Sequence, residues 1–103
     1  MSRIDQINEL LKENPSDSFL QHALALEFIK LGQEQDAKLV FERLLSANPD
    51  YVGSYYHLAK LHEKSGDEAE AIQVYERGME VAKSLNEQHA YSELKSAYEY
   101  LIY

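Results

Sequence analysis

One spacing constrains this chain more than any other feature: the stretch Gln21–Pro49 is echoed 34 positions later by Tyr55–Lys83. Leu24-Ala25 recurs as Leu58-Ala59, Gly32 as Gly66, Ala37 as Ala71 and Phe41 as Tyr75. Each copy reads as a helix of about four turns, a turn containing glycine, and a second helix. A unit of that size cannot bury its own apolar face, so neighbouring units must cover one another.

The rest of the composition agrees with a folded helical protein. Apolar residues make up 45% of 103 positions, and only two prolines and four glycines interrupt a sequence with abundant alanine, leucine and glutamate. No run approaches the ~20 apolar residues that cross a bilayer. The start, Met1-Ser2-Arg3-Ile4-Asp5, lacks a hydrophobic signal run, so the expected location is cytoplasmic. Cysteine is absent, which excludes disulfides, thiol catalysis and cysteine–zinc sites and agrees with that location. Eighteen acidic residues against ten basic ones give a net charge of -8. A compact acidic protein without a Lys/Arg run is repelled by phosphate backbones, so nucleic acid is not an expected partner.

Taken in order, the first predicted helix covers 2–13, capped by Ser2 with Asp5 as its reciprocal acid, and places Ile4, Ile7, Leu10 and Leu11 on one face. Asn14-Pro15 ends it. A second helix, capped by Ser16 or Asp17, runs to about Leu31 and is apolar over more than half its circumference. Gly32 supplies a left-handed turn. The third spans roughly 34–47, burying Ala37, Val40, Phe41, Leu44 and Leu45, and stops at Asn48-Pro49-Asp50. The fourth, about 51–64, buries Tyr55, Leu58, Ala59 and Leu61 before Ser65-Gly66. Asp67 caps the fifth, lined by Ala71, Val74, Tyr75, Gly78 and Met79. Glycine within a helix costs about 1 kcal/mol against alanine; Gly78 is either tolerated or marks a close helix–helix approach at the place Leu44 holds in the first copy. Ser84 and Glu87 read as a capping box for a sixth helix with Tyr91, Leu94, Ala97, Tyr98 and Leu101 as its apolar edge. With Lys83 where a proline would stand, a soft break between the fifth and sixth helices is expected.

A large residue, Leu-Ala, a large residue, Gly, Ala, an aromatic and Pro, recurring every 34 positions, resembles the tetratricopeptide repeat. The resemblance covers two repeats, about 18–51 and 52–83. It extends back to 2–15 as the second helix of a truncated unit. It extends forward to 84–103, where Tyr91-x-x-Leu94-x-x-x-Tyr98 resembles a first helix two residues out of period. Gln21 stands where the family often has tryptophan, and His62 where an aromatic is usual. The implied fold is all-α: a right-handed superhelical stack of antiparallel helix hairpins, about six helices in one helical-repeat domain. The implied function is a non-enzymatic scaffold that binds a peptide or partner protein in a concave groove lined by the first helix of each hairpin.

By that resemblance the groove candidates are Phe19, His22, Leu26, Ile29 and Lys30, then Tyr56, Lys60, Glu63 and Lys64. Spacings of three and four put each set on one helical face independently of the family. Leu26 and Ile29 serve either the core or the groove. Lys30, Lys60 and Lys64 stand out in an acidic protein and suit an acidic group or a free carboxy terminus on the partner; solvation of the helix ends is the plainer account. The family's carboxylate-clamp pattern is not reproduced by His22, Leu26, Tyr56 and Lys60, so recognition of chaperone tails is not expected.

No cofactor, metal or membrane is expected as a partner. His57 and His62 are offset by about 140° on a helix and do not converge, and no ligand spacing occurs. No nucleophile arrangement or phosphate-cradling loop is present, so catalysis is not expected. The alternative to a peptide-binding module is a structural element that forms homo-oligomers through its helical edges or through the last helix, where Tyr91, Tyr98, Tyr100 and Tyr103 are concentrated.

Overall fold

The computed structural model of the protein describes residues 2–103. Among these are six α-helices and no strand: α1 (Arg3–Glu13), α2 (Ser18–Lys30), α3 (Glu34–Ala47), α4 (Gly53–Lys64), α5 (Glu68–Ser84) and α6 (Gln88–Ile102). They fall into two compact units, the first ending at Asn48 and the second starting at Pro49.

In the first unit the α1 capping box forms as read from the sequence: Ser2 accepts from the Asp5 amide at 3.1 Å while the Asp5 carboxylate accepts from the Ser2 amide. Asp17 rather than Ser16 caps α2, accepting from the Leu20 amide at 3.0 Å. The antiparallel pair α2/α3 is tied at its open end by Asn48, whose Nδ2 donates to the Ser18 hydroxyl at 3.0 Å. Its core is Leu24, Ala25, Ala37, Phe41, Leu44 and Leu45. Ile7 of α1 is buried at 5% exposure, but Leu10 is 51% exposed. The apolar face read from Ile4, Ile7, Leu10 and Leu11 is therefore only partly buried. Val40 is half-buried.

In the second unit α4 starts at Gly53, two residues later than expected, because Tyr51 and Val52 form a turn whose carbonyls accept from the amides of Ser54 and Tyr55. Tyr55, Leu58, Ala59 and Leu61 of α4 are buried, as are Ala71, Val74, Tyr75 and Ala82 of α5. Asp67 caps α5, accepting from the Glu70 amide at 3.2 Å. His62 stands one period after the half-buried Phe28; it is 7% exposed and neither ring nitrogen has a hydrogen-bond partner.

Gly78 has a structural reason. A Cβ built there would lie 2.7 Å from Tyr55 Cβ, 2.9 Å from Tyr55 Cγ and 3.1 Å from Leu94 Cδ1. The glycine lets α4 and α6 both press against α5, and tolerance alone does not account for it.

The three helix-to-helix turns within the pairs α2/α3, α4/α5 and α5/α6 share one hydrogen-bond pattern. The amides of Gly32, Gly66 and Asn86 donate to the carbonyls of Ile29, Glu63 and Lys83, and those of Gln33, Asp67 and Glu87 donate to Phe28, His62 and Ala82. This is the Schellman closure, which requires a left-handed residue at its centre. Gly32 (φ 78°), Gly66 (φ 85°) and Asn86 (φ 59°) supply it. The expected capping box of Ser84 and Glu87 does not form: α5 runs through Ser84, whose hydroxyl donates to the Val81 carbonyl, and the Glu87 carboxylate caps nothing. The joint is thus a tight turn and not a soft break. Asparagine adopts the left-handed region more readily than other non-glycine residues, so it replaces glycine there. On α6 only Leu94 is buried; Tyr91, Ala97, Tyr98 and Leu101 are half-buried.

Candidate functional site

The candidate residues lie on the first helix of each hairpin, five on α2 and four on α4. On α2, Phe19 is 69% exposed at the start of the helix and Lys30 is exposed at its end. His22, Leu26 and Ile29 between them are half-buried. The His22 ring meets the buried Phe41 ring edge-on at 5.5 Å, so part of its surface belongs to the hairpin core. The breadth of apolar sequence on α2 is shared in the same way: only Leu24 and Ala25 are buried outright.

On α4 the candidates form a connected network within the second unit. Lys60 Nζ lies 5.7 Å from the centre of the Tyr56 ring and 3.6 Å from Glu63 Oε2. Glu63 Oε2 in turn accepts a hydrogen bond from the hydroxyl of Tyr75, which is buried on α5. Burial and the neighbouring Glu63 carboxylate push the Tyr75 hydroxyl far above the ordinary phenol range, so it remains a donor. A core tyrosine therefore fixes the carboxylate, the carboxylate holds the ammonium, and the ammonium sits beside the half-buried Tyr56 ring. The i,i+3 and i,i+4 spacing of Tyr56, Lys60 and Glu63 makes this possible on one face of a helix. Lys64 extends the face by a further turn and is exposed.

Two residues outside the expected set belong to this region. His57 meets the Tyr56 ring edge-on at 5.7 Å. Its pKa is lowered by burial and partly restored by the charge of Glu93 on α6. His57 and Glu93 hold equivalent places on α4 and α6, in the 36-residue register that carries Tyr55, Leu58 and His62 onto Tyr91, Leu94 and Tyr98.

Other surface depressions lie away from these faces. One in the first unit is lined by Asn8, Leu11, Pro15, Gln21, Leu24, Val40 and Arg43. One in the second unit follows the seam of α5 and α6, lined by Glu76, Met79, Glu80, Lys83, Tyr91 and Tyr98, with the Tyr98 hydroxyl donating to Glu76 at 3.0 Å. Among the described residues no group of three or more histidines and carboxylates comes together in a way that would hold a metal ion. No helix among them is long and apolar enough to cross a membrane.

Comparison with known proteins places this architecture. A family model described as tetratricopeptide repeat matches residues 28–98. The solution structure of a tetratricopeptide repeat domain protein from Salinibacter ruber is similar at 41% identity, over 85% of this chain and 89% of that one, with a TM-score of 0.82. A crystal structure of a tetratricopeptide repeat domain protein from the same organism gives 41% identity, 82% and 94% coverage and a TM-score of 0.80. A Bordetella parapertussis protein shares the fold at 23% identity and a TM-score of 0.84, over 98% of this chain and 88% of that one. No curated protein matches the sequence. The chain belongs to the tetratricopeptide repeat family, whose fold serves in general as a protein–protein interaction module.

Proposed function

We propose that the protein binds a peptide or a segment of a partner protein through the faces of its first helices. The face of α4 supplies the main recognition group, and α2 contributes Phe19, Leu26, Ile29 and Lys30. The observation that carries this reading is the anchored cation–aromatic pair of Lys60 and Tyr56. A lysine normally loses side-chain freedom on binding, at about 0.5–1.5 kcal/mol for a rotamer-rich side chain. Here Glu63, itself held by Tyr75, restrains Lys60 before any partner arrives. The side chain of Lys60 stays 42% exposed, so its ammonium is accessible while oriented. An acidic residue or a free carboxy terminus approaching this face meets Lys60 and, one turn on, Lys64.

The test is affinity capture of a partner with the intact protein, followed by measurement of its binding to the Lys60→Glu/Lys64→Glu variant. The expected result is a loss of affinity of tenfold or more (roughly 1.4 kcal/mol) with the helical circular dichroism unchanged. Unaltered affinity would remove the α4 face from the recognition surface.

A further inference from the structure

The depression in the first unit repeats a place that the second hairpin fills with a ring. Four of its lining residues recur 34 positions on with the same side chain: Pro15 as Pro49, Leu24 as Leu58, Val40 as Val74 and Arg43 as Arg77. A fifth changes, since Gln21 stands where the second hairpin has Tyr55. Tyr55 is 0% exposed, with Leu58 and Val74 at 3% and 1%, and its hydroxyl donates to the Pro49 carbonyl at 2.6 Å. Burial pushes the pKa of that hydroxyl up and the charge of Arg77 acts against it, so the guanidinium is felt at the phenol end. In the second hairpin, this set of residues carries its own phenol.

In the first hairpin the ring is absent. Gln21 Nε2 donates to the Pro15 carbonyl at 2.8 Å and keeps the bond to the proline turn, but a slender amide stands in for the ring. The walls are less covered: Leu24 is 9% exposed, and Gln21 and Val40 are half-buried. What remains is a cavity of about 260 Å³. Leu44, which stands where Gly78 does, is fully buried and does not line it, so the residue in the glycine's place leaves the cavity open. Leu11 of α1 adds to the apolar walls, and the exposed Arg43 is the only charged residue of the lining. An apolar cavity of about 150 Å³ already takes a benzene ring, whereas sites that hold a whole small molecule run to about 300–1,000 Å³. The volume therefore suits one ring of a larger partner. The cation suits an acid next to that ring.

We propose that this cavity is a socket for the tyrosine side chain of a partner protein, with an acidic residue beside that tyrosine meeting Arg43. The socket stands apart from the Lys60 face of α4, and all its lining residues belong to the first unit. The test is an NMR titration of the full protein, to millimolar concentration, with three blocked tripeptides: Gly-Tyr-Asp, Gly-Tyr-Asn and Gly-Ala-Asp. Gly-Tyr-Asp is expected to bind saturably and to shift the amides of Leu11, Gln21, Leu24 and Val40, and Gly-Ala-Asp to leave them unmoved. Gly-Tyr-Asn should bind about threefold more weakly, the scale of an exposed ion pair, and Arg43→Ala should erase the difference between the two tyrosine peptides. Gln21→Tyr fills the socket from within and should weaken Gly-Tyr-Asp by about tenfold or more, with a dispersed spectrum verifying the fold. Arg43 is exposed and alanine is the better helix former, so that variant carries the test even where Gln21→Tyr does not fold. Lys60→Glu/Lys64→Glu should bind Gly-Tyr-Asp as the natural protein does, which separates this site from recognition on α4. The proposal is overturned if the alanine peptide moves the same amides, if the shifts fall on Tyr56 and Lys60 instead, or if the folded Gln21→Tyr variant binds as tightly as the natural protein. It is also overturned if p-cresol binds as tightly as Gly-Tyr-Asp, a free aromatic molecule then being the occupant, or if those amides shift with protein concentration alone, the occupant then being a second copy.

Discussion

The hairpins α2/α3 and α4/α5 share a register yet fill it with different residues, and the differences compensate one another. At the start of the first helix, Gln21 of one hairpin becomes Tyr55 of the other. Toward the end of the second helix, Leu44 becomes Gly78. The large ring of Tyr55 lies against the bare backbone of Gly78, so bulk on the first helix takes up space that the missing side chain leaves on the second. The polar task at the first position is kept: Gln21 Nε2 donates to the Pro15 carbonyl at 2.8 Å, and the Tyr55 hydroxyl donates to the Pro49 carbonyl at 2.6 Å. Both tie the first helix to the proline turn before it. What the two repeats hold in common at this place is therefore a hydrogen bond to the proline turn, and the residue that supplies it is free to change.

That compensation breaks most severely at Gly78. The Gly78→Leu variant is expected to lose about 3 kcal/mol or more in urea unfolding, since even a methyl group would collide with Tyr55 and Leu94. Tyr55→Gln alone should lose a similar amount, roughly 3 kcal/mol, by leaving a cavity. Combined, the two place at these positions the residue types that the first hairpin carries there, and the double variant should be markedly more stable than the sum of the single losses predicts. Strict additivity would show that the two positions are not exchanging volume.

The second contrast is between Phe28 and His62. Burying two ring nitrogens without partners costs about 1–3 kcal/mol, and phenylalanine already fits this register in the first hairpin. His62→Phe should raise the denaturation midpoint by a corresponding amount, and a destabilised variant would mean that the imidazole makes an interaction phenylalanine cannot.

The turns offer a smaller effect. With Asn86 in the left-handed region beside Gly32 and Gly66, Asn86→Gly should stabilise by a few tenths of a kcal/mol and Asn86→Ala should destabilise by about 1 kcal/mol. Gly66→Ala is expected to lose at least as much as Asn86→Ala, since the same closure is strained by the same Cβ. Thermal unfolding of the three variants orders them.

The smallest effect expected is the pH dependence of the α4–α6 contact. The folded-state pKa of His57 lies below its ordinary value, so as pH falls below about 6.5 the unfolded state binds the proton first. Stability should decline on acidification through that window and level off once the folded ring is protonated as well. His57→Gln should flatten the difference between pH 8 and pH 5. Glu93→Gln should steepen it, because the charge that partly restores the His57 pKa is gone. Equal slopes in all three proteins would exclude His57 as the group responsible.

The legibility of the sequence follows from where its constraints act. The six helices, the caps at Ser2 and Asp67, the choice of Ser16 or Asp17 for the second helix and the left-handed turns at Gly32 and Gly66 can be read directly from residues, because capping and turn chemistry are local and use few residue types. The Ser84 box fails for the same local reason turned around: the pattern matches, yet Asn86 offers a closure that extends α5 through Ser84. The start of α4 is harder to place because the turn at Tyr51 and Val52 leaves only a weak trace in single-residue preferences.

In the candidate site, spacing puts Tyr56, Lys60 and Glu63 on one face, but no spacing on α4 shows that a buried tyrosine on α5 secures Glu63. That contact joins positions twelve residues apart through the packing of two helices. Sequence by itself thus determined the 34-residue unit, its helices, its turns and its family, since each depends on periodicity or on a residue's own backbone preferences. Only the tertiary structure decided that Gly78 is a notch for Tyr55 and Leu94, that Leu10 stays in water while Leu44 does not, and that the carboxylate beside Lys60 is secured by Tyr75. Those outcomes depend on which surfaces meet and how much volume lies between them, and one-dimensional spacing carries no record of either.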